Sequence, residues 1–465
     1  MNLALYCAEW SKLWRGPRLR WMYIVFMGLF AAAFFSAWIS ASRITSDRAL
    51  LTESERARWI EQGDKDPHSA AHFGAWVVKP SSPLTVLDPG VEPFVGLSVW
   101  LEAHKRNEMI FRPRQDADPL MRSATSVGQL IELLGPIMAI LLGFAGFAED
   151  RERGTLRMAL GNGALPAKLL ATRFLVMLTA LFAMVIAPAF LLGVFAIHTL
   201  PDSGWNGWLR LLLWSGVQLI YVLTFLLITL AVSLRARSAR AALTILLALW
   251  AILCIVLPRA ASSAAQKLSP IPSYQAVRAH AETEAPAYET AEQWEARRQS
   301  ILSAFGVTNE QDAPINIRGA QLDQSERDGY VVFDRLLGGF HDEVEAQDRT
   351  FGWLSMLTPT VALQSSASAI VGANFRQHRH FIDAAESYRR DLVNRMNGEV
   401  MRRHRMHNAN IATSPSLWED TPAFVYQPPA LKAVVKNVTI PLLLLCAWCG
   451  VAGLAAYRAA QRVQP

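Results

Sequence analysis

Residues 169–197 read LLATRFLVMLTALFAMVIAPAFLLGVFAI, and Arg173 is the single charged side chain among them. A transmembrane helix needs about 20 consecutive apolar residues to cross a hydrocarbon core of roughly 30 Å, and this stretch satisfies that requirement. Five further stretches are similarly apolar: residues 21–41, 127–147, 211–234, 241–257 and 434–457. The sequence therefore predicts a membrane all-α protein with six transmembrane helices.

The composition agrees with this fold class. Hydrophobic residues make up 52% of the chain and charged residues 18%, whereas soluble domains carry about 25% charged residues. The charged residues are concentrated between the apolar stretches. No basic run with interleaved aromatic residues is present, so nucleic acid is not an expected partner.

Lysine and arginine are distributed unequally between the two ends of the predicted spans. Among the termini and the short connections, they occur in four segments: residues 1–20, 148–168, 235–240 and 458–465. The remaining short connection, 198–210, contains neither residue type between His198 and Trp208. Because cytoplasmic loops are enriched in Lys and Arg, both termini are predicted to be cytoplasmic. We expect a multi-pass protein of the bacterial inner membrane.

Two long segments remain on the opposite side, residues 42–126 and 258–433, and each predicts an extracytoplasmic domain. The first opens with a charged helical stretch at Thr52–Trp59 and continues as irregular structure punctuated by Pro and Gly. The second is predicted to be mostly helical, because its apolar residues recur every three or four positions. Its expected helices are Gln275–Phe305, Glu326–Arg349 and Ile382–His407.

The N-terminal segment 1–20 carries Trp10 and Trp14 close to Lys12 and Arg15, just before the first span. Tryptophan beside basic residues at such a boundary is typical of a helix in the lipid headgroup layer. The segment therefore predicts a cytoplasmic amphipathic helix whose partner is membrane lipid.

Three prolines and two ionisable residues interrupt the apolar spans. Pro136, Pro188 and Pro441 predict local kinks, since proline removes a helical hydrogen bond. Glu132 and Arg173 are candidates for an intramembrane function. Both lie near a span end, however, and we favour the interpretation that they extend to the membrane interface as anchors.

Several catalytic motifs are absent from the sequence. It contains no G-x-x-x-x-G-K-[ST] loop for cradling a nucleotide phosphate, no H-E-x-x-H metalloprotease motif and no G-x-S-x-G nucleophile motif. The chain is therefore not expected to be an enzyme or to hydrolyse ATP itself, and no cofactor is predicted.

A dense charged cluster follows the second span, with the sequence Glu149-Asp150-Arg151-Glu152-Arg153-Gly154-Thr155-Leu156. Glu149 and Arg153 are four residues apart in the order that stabilises a helix. Gly154 can adopt the left-handed conformation that ends one. The cluster therefore predicts a short helix, and its residues alone leave open whether this is a solvated turn or a docking element.

The cluster resembles a hallmark of ABC-2-type transporter permeases, Glu-x-Glu-x-Gly-Thr-Leu just inside the second of six spans. In that family the short helix docks on a separate ATP-binding subunit and transmits its motion. The resemblance assigns ATPase coupling to Glu149, Asp150, Arg151, Glu152, Arg153, Gly154 and Thr155. It also implies a second permease subunit, identical or homologous.

The two long segments resemble a narrower group, the ABC permeases that carry the domain of unknown function numbered 3526. The stretches that carry this resemblance are Pro67–Gly74, Asp88–Val91, Val99–His104, Phe111–Pro113 and Phe381–Arg389. Members of the group are commonly described as permeases of systems for multi-copper enzyme maturation. The resemblance extends over nearly the whole chain.

Histidines in the first long segment are candidate metal ligands. His68 and His72 are four residues apart, which places them on one face of a helix, and Glu102 and His104 follow later. Imidazole suits transition metals. The alternative is that His68 and His72 bond to the backbone and fix the fold of the loop, and this structural interpretation is favoured. The candidate outer-domain site is thus His68, His72 and His104, with no metal expected.

A second zone in the chain is rich in His and Met: His378, His380, Met396, Met401, His404, Met406 and His407. Thioether and imidazole groups are suitable copper ligands. Three neighbouring guanidinium groups, from Arg402, Arg403 and Arg405, surround His404 and oppose the binding of a cation there.

Together these features predict the permease subunit of an ABC-2-type transporter. Closure of two ATP-binding subunits would push on the coupling helix and shift the six spans to open a path between two permeases. The alternative from another class is a membrane-anchored sensor or assembly factor whose outer domains bind a partner without transport. A membrane metalloenzyme is the third interpretation and requires the metal site that is not expected.

Overall fold

The computed structural model describes residues 3–96, 98–107, 125–201, 204–285, 289–403 and 416–463. Helices dominate the described chain, and six of them are long and apolar enough to cross a membrane. These are Leu19–Ile60, Val127–Glu152, Pro166–Thr199, Gly207–Arg235, Ala239–Leu268 and Thr439–Gln461. The predicted fold class, a membrane all-α protein with six spans, is confirmed.

The chain begins with helix α1 (Leu3–Arg15) and then enters helix α2 (Pro17–Ile60). Helix α2 contains 44 residues and is therefore about 66 Å long, roughly twice the thickness of a hydrocarbon core. The first span and the charged stretch Thr52–Trp59 thus form one continuous helix. Helix α1 packs beside the third span, where the hydroxyl of Tyr6 donates to that of Thr179 at 3.0 Å.

The segment after α2 contains helix α3 (Pro67–Phe73) and the antiparallel strands β1 (Ala75–Val78) and β2 (Ser98–Leu101). The carboxylate of Asp66 accepts bonds from the backbone N–H groups of His68 and Ser69 and so caps α3. The strand pair was not predicted, because each strand has only four residues. The capped helix fixes the backbone at His68, and the strand pair fixes the backbone that leads to His104.

The next four spans are built from α4 (Val127–Gly143), α5 (Ala145–Glu152), α6 (Thr155–Gly161), α7 (Pro166–Leu181), α8 (Ala187–Thr199), α9 (Gly207–Arg235), α10 (Ala239–Trp250) and α11 (Leu257–Leu268). Helix α9 is the centre of the bundle. Trp214 and Tyr221 on this helix are fully buried, and 67% of its most apolar window is buried, compared with 17% for α2. Helix α2 therefore leaves most of its apolar surface uncovered by this chain.

The prolines have different effects on the helices. Helix α4 runs unbroken through Pro136. One π-helical turn, Phe182–Ile186, precedes Pro188, and another, Ala251–Val256, precedes Pro258. A proline frees a carbonyl one turn earlier, and a widened turn accommodates the lost bond. Pro441 lies in the first turn of the last span, where its missing N–H costs nothing.

The last part of the chain contains α12 (Tyr274–Glu284), α13 (Ala291–Ala304), α14 (Ile317–Trp353), α15 (Pro359–Val371), α16 (Phe375–Arg402), α17 (Ser416–Glu419), α18 (Leu431–Asn437) and α19 (Thr439–Gln461). The expected helix Gln275–Phe305 is two helices, and the last span begins at Thr439 after a separate short helix. Residues 404–407 of the expected helix Ile382–His407 lie outside the described residues, as does Phe111–Pro113.

Helix α15 packs against α9 and α19. The Thr358 hydroxyl donates to the carbonyl of Leu253 in the fifth span at 2.6 Å. The hydroxyls of Thr360 and Tyr221 are 3.2 Å apart. Part of the segment between spans five and six therefore returns to the bundle and is buried there, which no feature of the sequence had indicated.

The two long segments pack together into one body, which we call the loop domain. It consists of the extension of α2, helices α3, α12–α14, α16 and α17, and the strand pair. The indole rings of Trp59 and Trp418 lie 5.9 Å apart in its core, beside the buried side chains of Leu392 and Met396. Residues more than 300 positions apart thus form one hydrophobic cluster.

Candidate functional sites

The charged turn comprises residues 149–158, at the end of the bundle opposite the loop domain. Helix α5 ends at Glu152, Gly154 has φ 75°, and helix α6 begins at Thr155. Glu149 Oε1 and Arg153 Nη2 are 2.6 Å apart. The short helix, its i, i+4 ion pair and the left-handed glycine all agree with the sequence prediction.

Two residues of the turn bind the connection between α9 and α10. The Arg151 guanidinium donates to the carbonyls of Leu234, at 2.5 Å, and Ala236, at 2.8 Å, at the C-terminal end of α9. The Glu152 carboxylate accepts from the backbone N–H of Ala239 at 3.2 Å, at the start of α10. A cation at a helix C-terminus and an anion at an N-terminus are both favourable. The turn is therefore fixed to spans four and five.

Asp150 binds the third span through Arg173. The Arg173 side chain is 7% exposed and lies 2.5 Å from Asp150 Oδ2 and 3.1 Å from Glu9 Oε1 on α1. It also donates to the carbonyl of Gly146. The Arg173 guanidinium is therefore buried and joins α1, α5 and α7, which the sequence did not indicate.

Glu132 also has a partner inside the protein. Its Oε1 accepts from Gln364 Nε2 of α15 at 2.7 Å. The sequence did not reveal this contact, since Gln364 lies on the helix that returns to the bundle. Glu132 therefore links α4 to α15.

The outward side of the charged turn, in contrast, is exposed. The Arg153 side chain is 70% exposed, and Met158 is 68% exposed. Thr155 and Arg157 are exposed as well. An apolar side chain surrounded by charged ones can be buried against a partner protein. The charged turn thus divides into inner residues that bind this chain and outer residues available to another.

The second site is the His cluster, formed by His68, His72 and His104. His68 and His72 lie one turn apart on α3, and His104 follows β2. His68 Nε2 is 3.1 Å from His72 Nε2 and 3.4 Å from His104 Nε2. Ligand nitrogens of the three rings all lie within 4.8 Å of one another. The structure therefore brings together the three histidines selected from the sequence.

The outer nitrogens of two of these rings bind helices of the second long segment. His68 Nδ1 is 2.9 Å from Asn397 Oδ1 on α16. His104 Nδ1 is 2.9 Å from Glu326 Oε1 on α14, which also accepts from the His104 backbone N–H at 2.6 Å. The favoured interpretation, that His68 and His72 bond to the backbone, is wrong, because the described partners of these rings are side chains.

The electrostatic setting favours neutral imidazoles at His68 and His72. Burial and the neighbouring rings lower the pKa of His68 to about 4. Burial also lowers the pKa of His72, although that side chain is exposed on one side. His104 has φ 60°, a left-handed conformation that is uncommon for a residue other than glycine. Glu326 holds the backbone of His104 in this conformation.

The other candidate ligands do not join this cluster. His380 Nδ1 is 3.1 Å from the hydroxyl of Tyr426, and Met396 is buried in the core of the loop domain beside Trp418. Glu102 pairs with Lys105 at 3.4 Å. His404, Met406 and His407 lie outside the described residues. Among the described residues, no histidine of the His- and Met-rich zone belongs to a group of three or more converging His, Cys, Asp or Glu ligand atoms.

Two family profiles match the chain. One, described as "ABC-2 family transporter protein", matches residues 3–304. The other, described as "Domain of unknown function (DUF3526)", matches residues 265–427. Both resemblances drawn from the sequence are thereby confirmed. No curated protein matches the chain.

Proposed function

Since this chain belongs to the ABC-2 family of transporter proteins and is a membrane permease of an ABC transporter, we propose that its charged turn docks a separate ATP-binding subunit. The observation that carries the proposal is the division of the turn into a bound inner side and an exposed outer side. Met158 is the central contact, and Arg153, Thr155 and Arg157 form its polar rim.

The inner side provides the route by which docking moves the spans. Asp150 binds Arg173 of the third span, and Arg151 and Glu152 bind the two ends of the connection between spans four and five. A displacement of the turn therefore displaces α7, α9 and α10 together. ATP-driven closure of the ATP-binding subunits would push on the turn, shift these helices and open a path for the substrate.

The proposal includes a second permease subunit, identical or homologous. In the first, fifth and sixth spans only 17%, 28% and 22% of the most apolar window is buried within this chain, compared with 67% in the fourth. Apolar surface of this extent is covered either by lipid or by another membrane helix. We propose that the second permease covers part of it.

The proposed orientation places the charged turn and both termini in the cytoplasm of a bacterium, with the loop domain beyond the inner membrane. The excess of Lys and Arg at the end of the bundle that carries the turn supports it. The test replaces the native cysteines Cys7, Cys254, Cys446 and Cys449 and introduces a single new one. A membrane-impermeant maleimide should label Val331→Cys in intact spheroplasts and Thr155→Cys only after permeabilisation, and the reverse pattern would overturn the orientation.

The docking proposal is tested with Met158→Glu and a matched control, Val331→Glu. The two residues are 68% and 69% exposed, and Val331 lies on α14 of the loop domain. A buried unpaired carboxylate disfavours an interface, so Met158→Glu should abolish co-purification of the ATP-binding subunit with tagged permease. Val331→Glu should leave it unchanged.

Two outcomes would refute the proposal. Equal recovery of the ATP-binding subunit with both variants would show that the charged turn does not dock it. Purification of the natural chain without any ATP-binding subunit, but with another protein bound to the loop domain, would favour a membrane-anchored sensor or assembly factor.

A further inference from the structure

The geometry points to a binding site for a divalent transition-metal ion, of the zinc type, formed by the imidazoles of His68, His72 and His104. Within the residues that the structure describes, this is the one group of three or more His, Cys, Asp or Glu side chains whose ligand atoms converge. The inference concerns the loop domain and does not depend on the docking proposed above.

The spacing of the nitrogens fits a metal ion. Zinc binds histidine nitrogen at about 2.0–2.1 Å in tetrahedral geometry, which places neighbouring ligand nitrogens about 3.3 Å apart. The two Nε2–Nε2 distances from His68 are 3.1 and 3.4 Å. Both separations measured from His68 are therefore close to the distance that one tetrahedral ion would impose, and the ligand atoms of all three rings lie within 4.8 Å of one another.

The outer partners fix the protons so that lone pairs face inward. Asn397 Oδ1 is an acceptor, so His68 carries its proton on Nδ1 and presents an unprotonated Nε2. Glu326 likewise takes the Nδ1 proton of His104. The Nε2 atoms of these two rings lie 3.4 Å apart, and in the neutral form of each ring Nε2 offers its lone pair to an ion bound between them.

These outer partners are the kind that metal-binding histidines have. A ligating imidazole typically donates its second N–H to a carboxylate or another oxygen, which fixes the ring and raises its basicity. Glu326 is 3% exposed and also faces Arg389, whose Nη1 lies 3.5 Å away. This buried support keeps His104 in its left-handed conformation and aims the ring at His68.

The His cluster is accessible from solvent, and three histidine ligands would leave one coordination position of the ion open. His72 is exposed, and a polar cavity of about 220 Å³ reaches His104. Three imidazoles leave the fourth tetrahedral position for water or an external ligand, as in sites that do more than hold a fold together. Three neutral ligands also suit Cu²⁺ or Co²⁺, so the test compares these ions.

Metal binding would also connect two distant parts of the chain. The three ligands belong to the first long segment, whereas Asn397 and Glu326 belong to the second. A ligand that binds only the folded state stabilises that state. An ion at this position would therefore strengthen the attachment of α3 to α14 and α16.

The experiment uses the full chain, purified in detergent through a tag without histidine, stripped with a chelator and titrated by calorimetry with Zn²⁺, Cu²⁺ and Co²⁺. The natural chain should bind one Zn²⁺ per molecule and give the visible absorption of tetrahedral Co²⁺. The variant His72→Ala should lose at least about 100-fold in affinity. Glu326→Gln should lose about 10- to 100-fold, as changes to outer partners do.

The matched control is His280→Ala, because the His280 side chain is 67% exposed and lies outside the cluster. It should bind Zn²⁺ as the natural chain does. Thermal unfolding would verify that His72→Ala is folded, and the exposed position of His72 favours this. No stoichiometric binding to the natural chain, or equal binding by His72→Ala and the natural chain, would overturn the inference.

Discussion

The charged turn and the His cluster are both polar groups held in place by buried partners, but they are assembled over very different distances in the chain. The outer side of the turn and the helix break that presents it come from residues 149–158. The His cluster joins residues separated by 222 positions, His104 and Glu326, and by 329 positions, His68 and Asn397. The helix break of the turn is therefore specified by its local sequence, whereas the cluster requires the finished loop domain.

This difference determines which part of the molecule is affected by a change at each site. The turn is a rigid local unit whose inner side binds three spans, so a force applied to it acts on the bundle. The cluster lies where two long segments meet, so a change there alters how firmly those segments hold together. Substitutions in the two places should separate these effects.

The largest effect is expected for Arg173→Ala. Removing this guanidinium leaves Asp150 and Glu9 without their cation, and each of these side chains is only 18% exposed. Removing one member of a buried ion pair typically costs about 3–5 kcal/mol. We expect a lower free energy of unfolding of this order, measured by denaturant titration of the detergent-purified chain with tryptophan fluorescence.

The control for this change is Arg153→Ala in the same turn. Arg153 makes an exposed i, i+4 pair with Glu149, and such pairs contribute about 0.3–0.5 kcal/mol. If both arginine variants unfolded at the same denaturant concentration, the inner side of the turn would not be the structural attachment that its contacts indicate.

An intermediate effect is expected for Asn397→Leu in the His cluster. Leucine has the same branched shape as asparagine but is larger, so the change removes the partner of His68 Nδ1 and is compared with the same change in size at Asn394. A buried polar atom left without its partner costs about 1–3 kcal/mol, and we expect metal-free protein to lose stability by this amount. The same denaturant titration provides the measurement.

Asn394→Leu is the control on the same helix. Asn394 is half-buried and accepts one long bond, from the Tyr330 hydroxyl at 3.3 Å, so its loss should cost less than about 1 kcal/mol. A larger cost for Asn394→Leu than for Asn397→Leu would mean that the His68 contact does not hold the two segments together.

The same contrast explains what the sequence could predict. Span number, the charged turn and the left-handed Gly154 follow from local rules of apolar length, i, i+4 charge pairing and glycine conformation. His68 and His72 could be selected as a pair because four residues make one helical turn. Their spacing alone was sufficient to select them as candidate ligands.

The partners of these histidines could not be found in this way. Glu326 and Asn397 lie on long polar helices with many similar side chains, and nothing in their local sequence distinguishes them. The burial of Arg173 and the return of α15 to the bundle likewise depend on tertiary packing. Each case involves contacts between residues far apart in the chain, which spacing rules do not describe.

The smallest loss of stability is expected for Gly154→Ala in the charged turn, where only the backbone conformation and no side-chain contact is affected. Gly154 has φ 75°, and an added Cβ would meet no heavy atom within 4 Å. Gly154→Ala should therefore destabilise the chain by only about 1–2 kcal/mol, through the left-handed backbone alone. Gly161→Ala is the matched control, since Gly161 in α6 also has open space around it but no positive φ, and alanine there should be neutral or slightly stabilising.

Because Gly154 sets the angle between α5 and α6, its substitution should reduce transport-coupled ATPase activity more than so small a loss of stability can explain. Equal ATPase activity in the two variants would mean that this angle is not used in coupling.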